Sequence, residues 1–429
     1  MKTIIKILFL ILINVDSIGQ NIDIQAKIKY HTEKAQNYLD KEKSLSGFYS
    51  IDADGIKMYA SPKDKLSNKT EFVIRWGQIE NFNNLLEFNS ATSMLAKYNE
   101  GQLKGFPDGI YIATKKITPE KKLTGYKIAL DPGHIANDPE TGDLEKKYLK
   151  IKGDNINGIK DSIEIAEGML TYATAKLLKS KLENEGATVF LTRSGDKCSF
   201  GKTFAQWKKD DLKNAVDSLF KIGELKASQK QYFLSKKVND RDIFRVIFKD
   251  LELAKRAEII NNFHPDLTVV IHFNVDETNL KWEKTSDKDF DMTFVAGAFM
   301  KNDLSTKEKR FEFLRLLISD NLEKSISLSA SVIKSFESEL NVPTANIRDA
   351  KYLTEGCIMA ANGVYCRNLQ LPRYIHSPIV YGETLYQDNI NECKSLNAES
   401  DKTKNKRIQQ IAEAYFKGIL EYTTTLSSK

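Results

Sequence analysis

The stretch YKIALDPGH, Tyr126 to His134, sets the reading of this chain. A short apolar run stops at Asp131-Pro132-Gly133, and one of only five histidines follows at once. Downstream, DSIEIAEGMLTYATAKLLKSKLENEG (161–186) places Ile163, Ala166, Leu170, Ala173 and Leu177 at helical spacing. Asp161 or Ser162 is the expected N-cap, and Gly186 sits where a helix end wants glycine. ATVFLTR (187–193) is then a second apolar strand. Strand, long helix and strand in that order are the signature of a sheet covered by helices.

Outward from this core the rhythm is interrupted and resumed. Residues 197–250 are rich in Lys and Asp, with broken helical patterns. The helix DLELAKRAEIINNF (250–263) and strand DLTVVIHFNVD (266–276) follow. FVAGAF (294–299) reads as a further strand, 305–340 as helical, SPIVYGE (377–383) as the last clear strand, and KRIQQIAEAYFKGILEY (406–422) as the closing helix. The expected fold is α/β: a mixed, mostly parallel sheet flanked by helices on both faces, with a small N-terminal accessory region.

The chain has 429 residues, 28% of them charged and 41% hydrophobic, the mix of a soluble globular protein. Its net charge of +6 suits an anionic polymer or surface and is too diffuse for a nucleic-acid footprint. The first 19 residues read as a secretory signal: Lys2 and Lys6, an apolar core from Ile7 to Val15, and Ser17-Ile18-Gly19 as the cleavage site. Export to the periplasm or cell envelope of a bacterium is therefore expected, with no membrane span in the mature chain. Residues 20–122 form the accessory region, where GFYSIDADGIKMYAS (47–61) and FPDGIYIATKK (106–116) alternate like short strands around Asp-Gly turns. Residues 123–425 form the main domain, carrying the charged insertion at 197–250. The four cysteines, at 198, 357, 366 and 393, include no CxxC and read as buried or structural.

Three strands end in chemistry. His134 follows the first, His272 lies near the end of the third, and Glu383 closes the last. In open α/β sheets, sites form beyond the carboxyl ends of the strands. Two histidines and a carboxylate are standard protein ligands of a catalytic zinc, which leaves a position open for water. Glu164 and Glu167 lie near the start of the long helix, one turn apart on one face, and either completes the set. Glu383 is then placed to act as general base. The competing reading is structural: a hydrogen-bonded core histidine, solvated helix charges, and a carboxylate that begins a loop.

Four blocks together resemble the zinc-dependent N-acetylmuramoyl-L-alanine amidases of the amidase-3 type, which are cell-wall hydrolases. They are IALDPGH (128–134), the run from Glu167 to Arg193, RAEIINNFHPDLTVVIHFNVD (256–276) and SPIVYGE. The resemblance implies His134, Glu167 and His272 as ligands of Zn2+ and Glu383 as the catalytic base. It favours Glu167 over Glu164, because only Glu167 keeps the family's distance to Gly186 and Thr192. It implies peptidoglycan as substrate and cleavage between N-acetylmuramic acid and L-alanine; a monomer is expected, and an activating protein is left open. Arg256 and Asn274 match family positions with structural roles. His264 is expected to cap a helix-to-strand turn, His376 to lie on a surface loop, and His31 to lack a partner. The chain departs from the pattern after His134, where IANDPETGDLEKKYLKIKGD (135–154) replaces a glycine-rich continuation. Its insertions are expected to cover the cleft as a lid or an autoinhibitory element. A zinc peptidase acting on stem peptides, or an inactive wall-binding relative, are the alternatives.

Overall fold

The computed structural model describes residues 23–101, 121–153 and 161–427. The expected signal segment, FPDGIYIATKK and residues 117–120 lie outside these residues. The leader carries an antiparallel sheet of β1 (Tyr49–Asp52), β2 (Gly55–Met58) and β3 (Phe72–Arg75). The main domain then runs β4 (Lys127–Pro132), α1 (Pro139–Glu145), β5 (Tyr148–Ile151), β6 (Ile163–Ala166), α2 (Glu167–Asn184) and β7 (Thr188–Leu191). After short inserted helices come α3 (Lys249–Phe263), β8 (Leu267–Asn274), β9 (Met292–Val295), α4 (Lys307–Ile318) and α5 (Asn321–Leu340). The hairpin β10 (Cys357–Ala361) and β11 (Val364–Arg367), then β12 (Ile379–Tyr386) and α6 (Lys406–Ser427), complete the order.

Seven strands form the central sheet in the order β10-β11-β9-β12-β8-β4-β7. β7, β4, β8 and β12 are mutually parallel, β9 is antiparallel to β12, and β10 is antiparallel to β11. Successive side chains of a strand point to opposite faces, and each face is covered. Ile128, Leu130, Val269 and Ile271 enter the core shared with α2, α5 and α6. Ala129 and Val270 pack instead with Ala257 and Ile260 of α3. The mixed sheet with helices on both faces is the expected class. Among the described residues no helix is long and apolar enough to cross a membrane.

The long helix starts later than its periodicity predicts. Ile163–Ala166 is a strand, paired antiparallel with Tyr148–Ile151, and α2 begins at Glu167 behind Ala166, which offers no side-chain cap. Its end is as expected: Gly186 takes φ 93°, a left-handed geometry that costs glycine nothing. His264 caps α3, also in left-handed geometry. His376 is buried rather than on a surface loop; its amide donates to Asn261 Oδ1 at 2.9 Å, just before the amino end of β12 and so at the edge opposite the site. His31 is buried too, with Nδ1 donating to Leu317 O at 2.9 Å and its ring stacked on Trp76. The four cysteines are free and buried.

The leader is built into the main core. Phe72 and Phe82 pack their rings against Phe311 of α4 at 5.4 and 5.6 Å, and Arg310 pairs with both oxygens of Glu71 at 2.6 and 2.8 Å.

Candidate metal centre

β4 keeps its pairing with β8 through Pro132, the register partner of Ile271, and the Gly133 amide still donates to Ile271 O at 2.9 Å; His134 then turns out with φ 58°. Left-handed backbone at a residue with a Cβ costs about 1–2 kcal/mol and persists where its surroundings impose it. Those surroundings are charged and buried. Arg256 donates to Pro132 O at 2.9 Å and His134 O at 3.2 Å; Arg193 donates to Pro132 O at 3.0 Å and Gly168 O at 2.7 Å. Asp131 and Glu252 balance the Arg256 guanidinium, with Nε on Glu252 at 2.7 Å and Nη1 on Asp131 at 3.2 Å, and the Thr192 hydroxyl donates to Asp131. Arg256 thus has the structural role expected of it. Asn274 has one also, donating to Tyr352 Oη at 3.0 Å at the end of β8.

The turn aims His134 at two other side chains. Glu167, the first residue of α2, is fully buried, and its Oε1 lies 3.3 Å from His134 Nε2 and 3.1 Å from His272 Nδ1. The amide of Phe273 donates to the same oxygen at 3.1 Å. The two imidazoles meet edge to face at 4.8 Å, and His272 stacks on Tyr381 at 4.6 Å. Gly133 makes room for this: a Cβ there would stand 2.3 Å from His272 Cε1.

The donor set fits a metal ion. One ligand atom from each of His134, Glu167 and His272 lies within 4.8 Å of the others. Zinc bound tetrahedrally at about 2.0–2.2 Å per ligand sets its ligand atoms roughly 3.3 Å apart, and the Oε1 distances above match that spacing. His134 Nε2 is buried with no hydrogen-bond partner, an arrangement that a cation resolves, while the buried Glu167 Oε2 has Lys147 Nζ 3.3 Å away. Glu164 is elsewhere: it is exposed on β6, accepting from Tyr148 Oη at 2.6 Å and pairing with Lys150 at 3.2 Å. The expectation that it shares a helix face with Glu167 fails, because the strand pairing of β6 turns it away.

Glu383 stands on β12 as the register partner of His272 on the parallel neighbour β8, so both side chains leave the same face at the same height. Burial pushes its carboxyl up to about 7; Glu167 adds to the rise, while His272, Lys147 and Arg367 pull against it. Burial drives the His134 imidazole down to about 3, the neutral form a metal needs. Burial opposes the Glu167 charge too, yet His134 and Lys147 hold that carboxyl well below the usual range.

Two neighbours went unread in the sequence. Lys147 places Nζ 3.3 Å from Glu167 Oε2 and 4.9 Å from the Trp282 ring centroid. Glu145, at the end of α1, accepts from the amides of Ile135 and Ala136 at 3.1 and 3.0 Å, and burial raises it to about 7. Both lie in the polar run DLEKKYLKIKGD (143–154), where nothing in the sequence marks them off from Glu140 or Lys146. The site opens into a cavity of about 250 Å³, walled by Phe244 and Phe248 of the insertion and by Leu369 and Leu371. A larger cavity of about 900 Å³ lies against the other flank of α3 and includes none of the four site residues.

An α/β sheet whose carboxyl edge gathers two histidines and two carboxylates in a walled cleft defines a hydrolase-type site able to hold a divalent metal. The family described as N-acetylmuramoyl-L-alanine amidase matches residues 128–421, and the chain belongs to that family. Its enzyme class is that of the family, amide hydrolysis by an N-acetylmuramoyl-L-alanine amidase. Among solved structures the chain is similar to the CwlD amidase from Clostridioides difficile in complex with the GerS lipoprotein, at 18% identity and a TM-score of 0.38, covering 71% of this chain and 100% of that one. It is similar to Ami1 from Mycobacterium smegmatis at 13% identity and a TM-score of 0.38, covering 71% and 99%. For AmiC2 of Nostoc punctiforme the values are 16%, 0.35, 70% and 99%. No curated protein sequence matches the chain.

Proposed function

We propose that the protein is a zinc-dependent amidase that cuts the bond between N-acetylmuramic acid and L-alanine in peptidoglycan, for wall remodelling outside the cytoplasm. The observation that carries the reading is the convergence of His134, Glu167 and His272 on one point, with Glu383 beside them. The three would hold the ion, His134 neutral and Glu167 ionised. Zinc when bound makes a water molecule far more acidic and polarises a carbonyl oxygen. Glu383 takes the proton of the attacking water on its carboxylate and returns it to the leaving amine of L-alanine, a role that suits a carboxyl near 7. Arg193 and Arg256 keep the His134 turn in place while this happens. The net charge of +6 favours an anionic wall polymer. An activating protein partner belongs to the same reading.

Mass analysis of products from purified peptidoglycan tests the reading. Free stem peptides with intact glycans are expected, abolished by chelator and restored by zinc. Trimmed peptides would make it a peptidase, and no products a binder.

A further inference from the structure

The stretch that follows His134 does more than leave the site. His134 keeps its left-handed backbone because neighbours grip both sides of it. Glu145 accepts the next two amides, Ile135 N and Ala136 N, at 3.1 and 3.0 Å, and its Oε2 stands 3.9 Å behind His134 Nδ1. Ile135 is 2% exposed, and its side chain belongs to the apolar core of the inserted helices, with Phe204, Trp207, Phe244 and Phe248. Leu144, beside Glu145, packs on that same core. The rings make it continuous: Trp207 meets Phe248 at 4.8 Å, and Phe204 meets Phe244 at 5.3 Å. The residue after a metal ligand is thus anchored in the insertion, whereas Ile128 and Leu130, before it, are anchored in the sheet.

We propose that Glu145 and Ile135 are positioning residues of the metal centre, through which the inserted helices between Phe204 and Phe248 fix the orientation of His134. Partners behind a ligating histidine set its ring orientation and hence the affinity of the site. Here the grip runs through the backbone, since 3.9 Å is too long for a hydrogen bond to Nδ1. The insertion is then a structural part of the metal site as well as a wall of the cleft.

The inference rests on the metal-holding reading of the triad, and its test reads metal affinity rather than turnover. Zinc affinity of the full chain is measured by chelator competition for wild type, Glu145→Ala, Glu145→Gln and Trp207→Ala, with circular dichroism to verify folding. Glu145→Ala weakens zinc binding about 10–100-fold. Glu145→Gln keeps a side-chain carbonyl for the two amides and recovers most of that loss, which a general loss of stability would not allow. Trp207 lines no part of the cleft, yet Trp207→Ala weakens zinc binding about tenfold by loosening the core that holds Ile135. Should Trp207→Ala unfold, Phe204→Leu takes its place as a milder loss from the same core, at a residue that likewise lines no part of the cleft. Wild-type affinity in folded Glu145→Ala, or in the folded core variant, overturns the proposal. Failure of the triad reading shows separately, as absence of zinc binding by the wild-type chain, and takes this inference with it.

Discussion

His272 and Glu383 are register partners on the adjacent parallel strands β8 and β12. One pairing therefore carries a candidate ligand and the candidate base, and their spacing is set by the sheet rather than by a loop. A slip of one residue would turn Glu383 to the other face, so the apolar pattern of β12 that fixes the register also fixes the chemistry. Such a site is more exact than one assembled on mobile segments.

The first consequence is a separation of roles. Glu383→Gln keeps the shape and removes the proton acceptor, so it retains zinc while turnover falls roughly 10²–10⁴-fold. Glu167→Ala removes a buried ligand oxygen and loses the metal. Zinc content per chain, measured beside peptide release, checks both. Full zinc in Glu167→Ala would end the ligand assignment.

The second concerns pH. Burial leads the rise of Glu383 to about 7, and only its ionised form accepts a proton. Activity as kcat/KM should fall with a single-proton limb below pH about 7. Arg367 is among the groups that pull the value down, so Arg367→Met moves that limb to higher pH. The sign for stability is opposite to that of an ordinary salt-bridged carboxylate. The folded chain holds a proton that the unfolded one has released, so this group's contribution is full below pH about 4.5 and is lost as pH rises through about 7. Glu383→Gln mimics the protonated form, so its denaturation midpoint should stay close to wild type near pH 4.5 and the wild type should fall relative to it as pH rises through about 7; parallel curves would contradict the shift.

Much of this site was legible before any coordinates. A core strand has no use for an imidazole at its tip, so His134 and His272 stood out against IALDPG and LTVVI, and β12 pointed to Glu383 in the same way. The start of α2 was not legible. Ile163 and Ala166 satisfy helical spacing while Ile163 and Ile165 alternate about Glu164 as in a strand, and what decides is the pairing with Tyr148–Ile151, which local sequence does not reveal. The same holds for Ile135 and Glu145: their partners lie in inserted helices about 70–110 residues away, or in backbone amides that any residue offers. His376 failed for a related reason, since its burial comes from distant partners, Asn261 of α3 and Asn321 of α5.

The third prediction tests crowding at the centre. Because a Cβ at Gly133 would stand 2.3 Å from His272 Cε1, Gly133→Ala must push the ring aside. Overpacking of this kind costs about 1–3 kcal/mol, which is on the order of ten- to a hundredfold in zinc affinity. Chelator competition reads the loss directly. An unchanged affinity would mean that the ring shifts without moving its ligand nitrogen, and that the close approach is not part of the metal site.

The last prediction concerns the leader. A self-standing accessory module could be removed without harm, but every residue of α4 from Arg310 to Ile318 is buried, and the leader supplies part of the cover. Phe72 and Phe82 lie on Phe311, Tyr49 on Phe313, and Glu71 neutralises Arg310. Exposing large apolar side chains forfeits about 1.5–3 kcal/mol each, and the ion pair of Arg310 with Glu71 goes with the leader. Those losses together reach the whole stability of an ordinary domain, about 5–15 kcal/mol. A chain beginning at residue 121 should therefore be aggregated or unfolded in size-exclusion and thermal melting, with zinc present or not. Glu71→Ala, a far smaller change, should already lower the denaturation midpoint without touching the cleft. A folded, monomeric, active fragment from residue 121 onward would show that α4 can cover itself, and that the leader is an accessory after all.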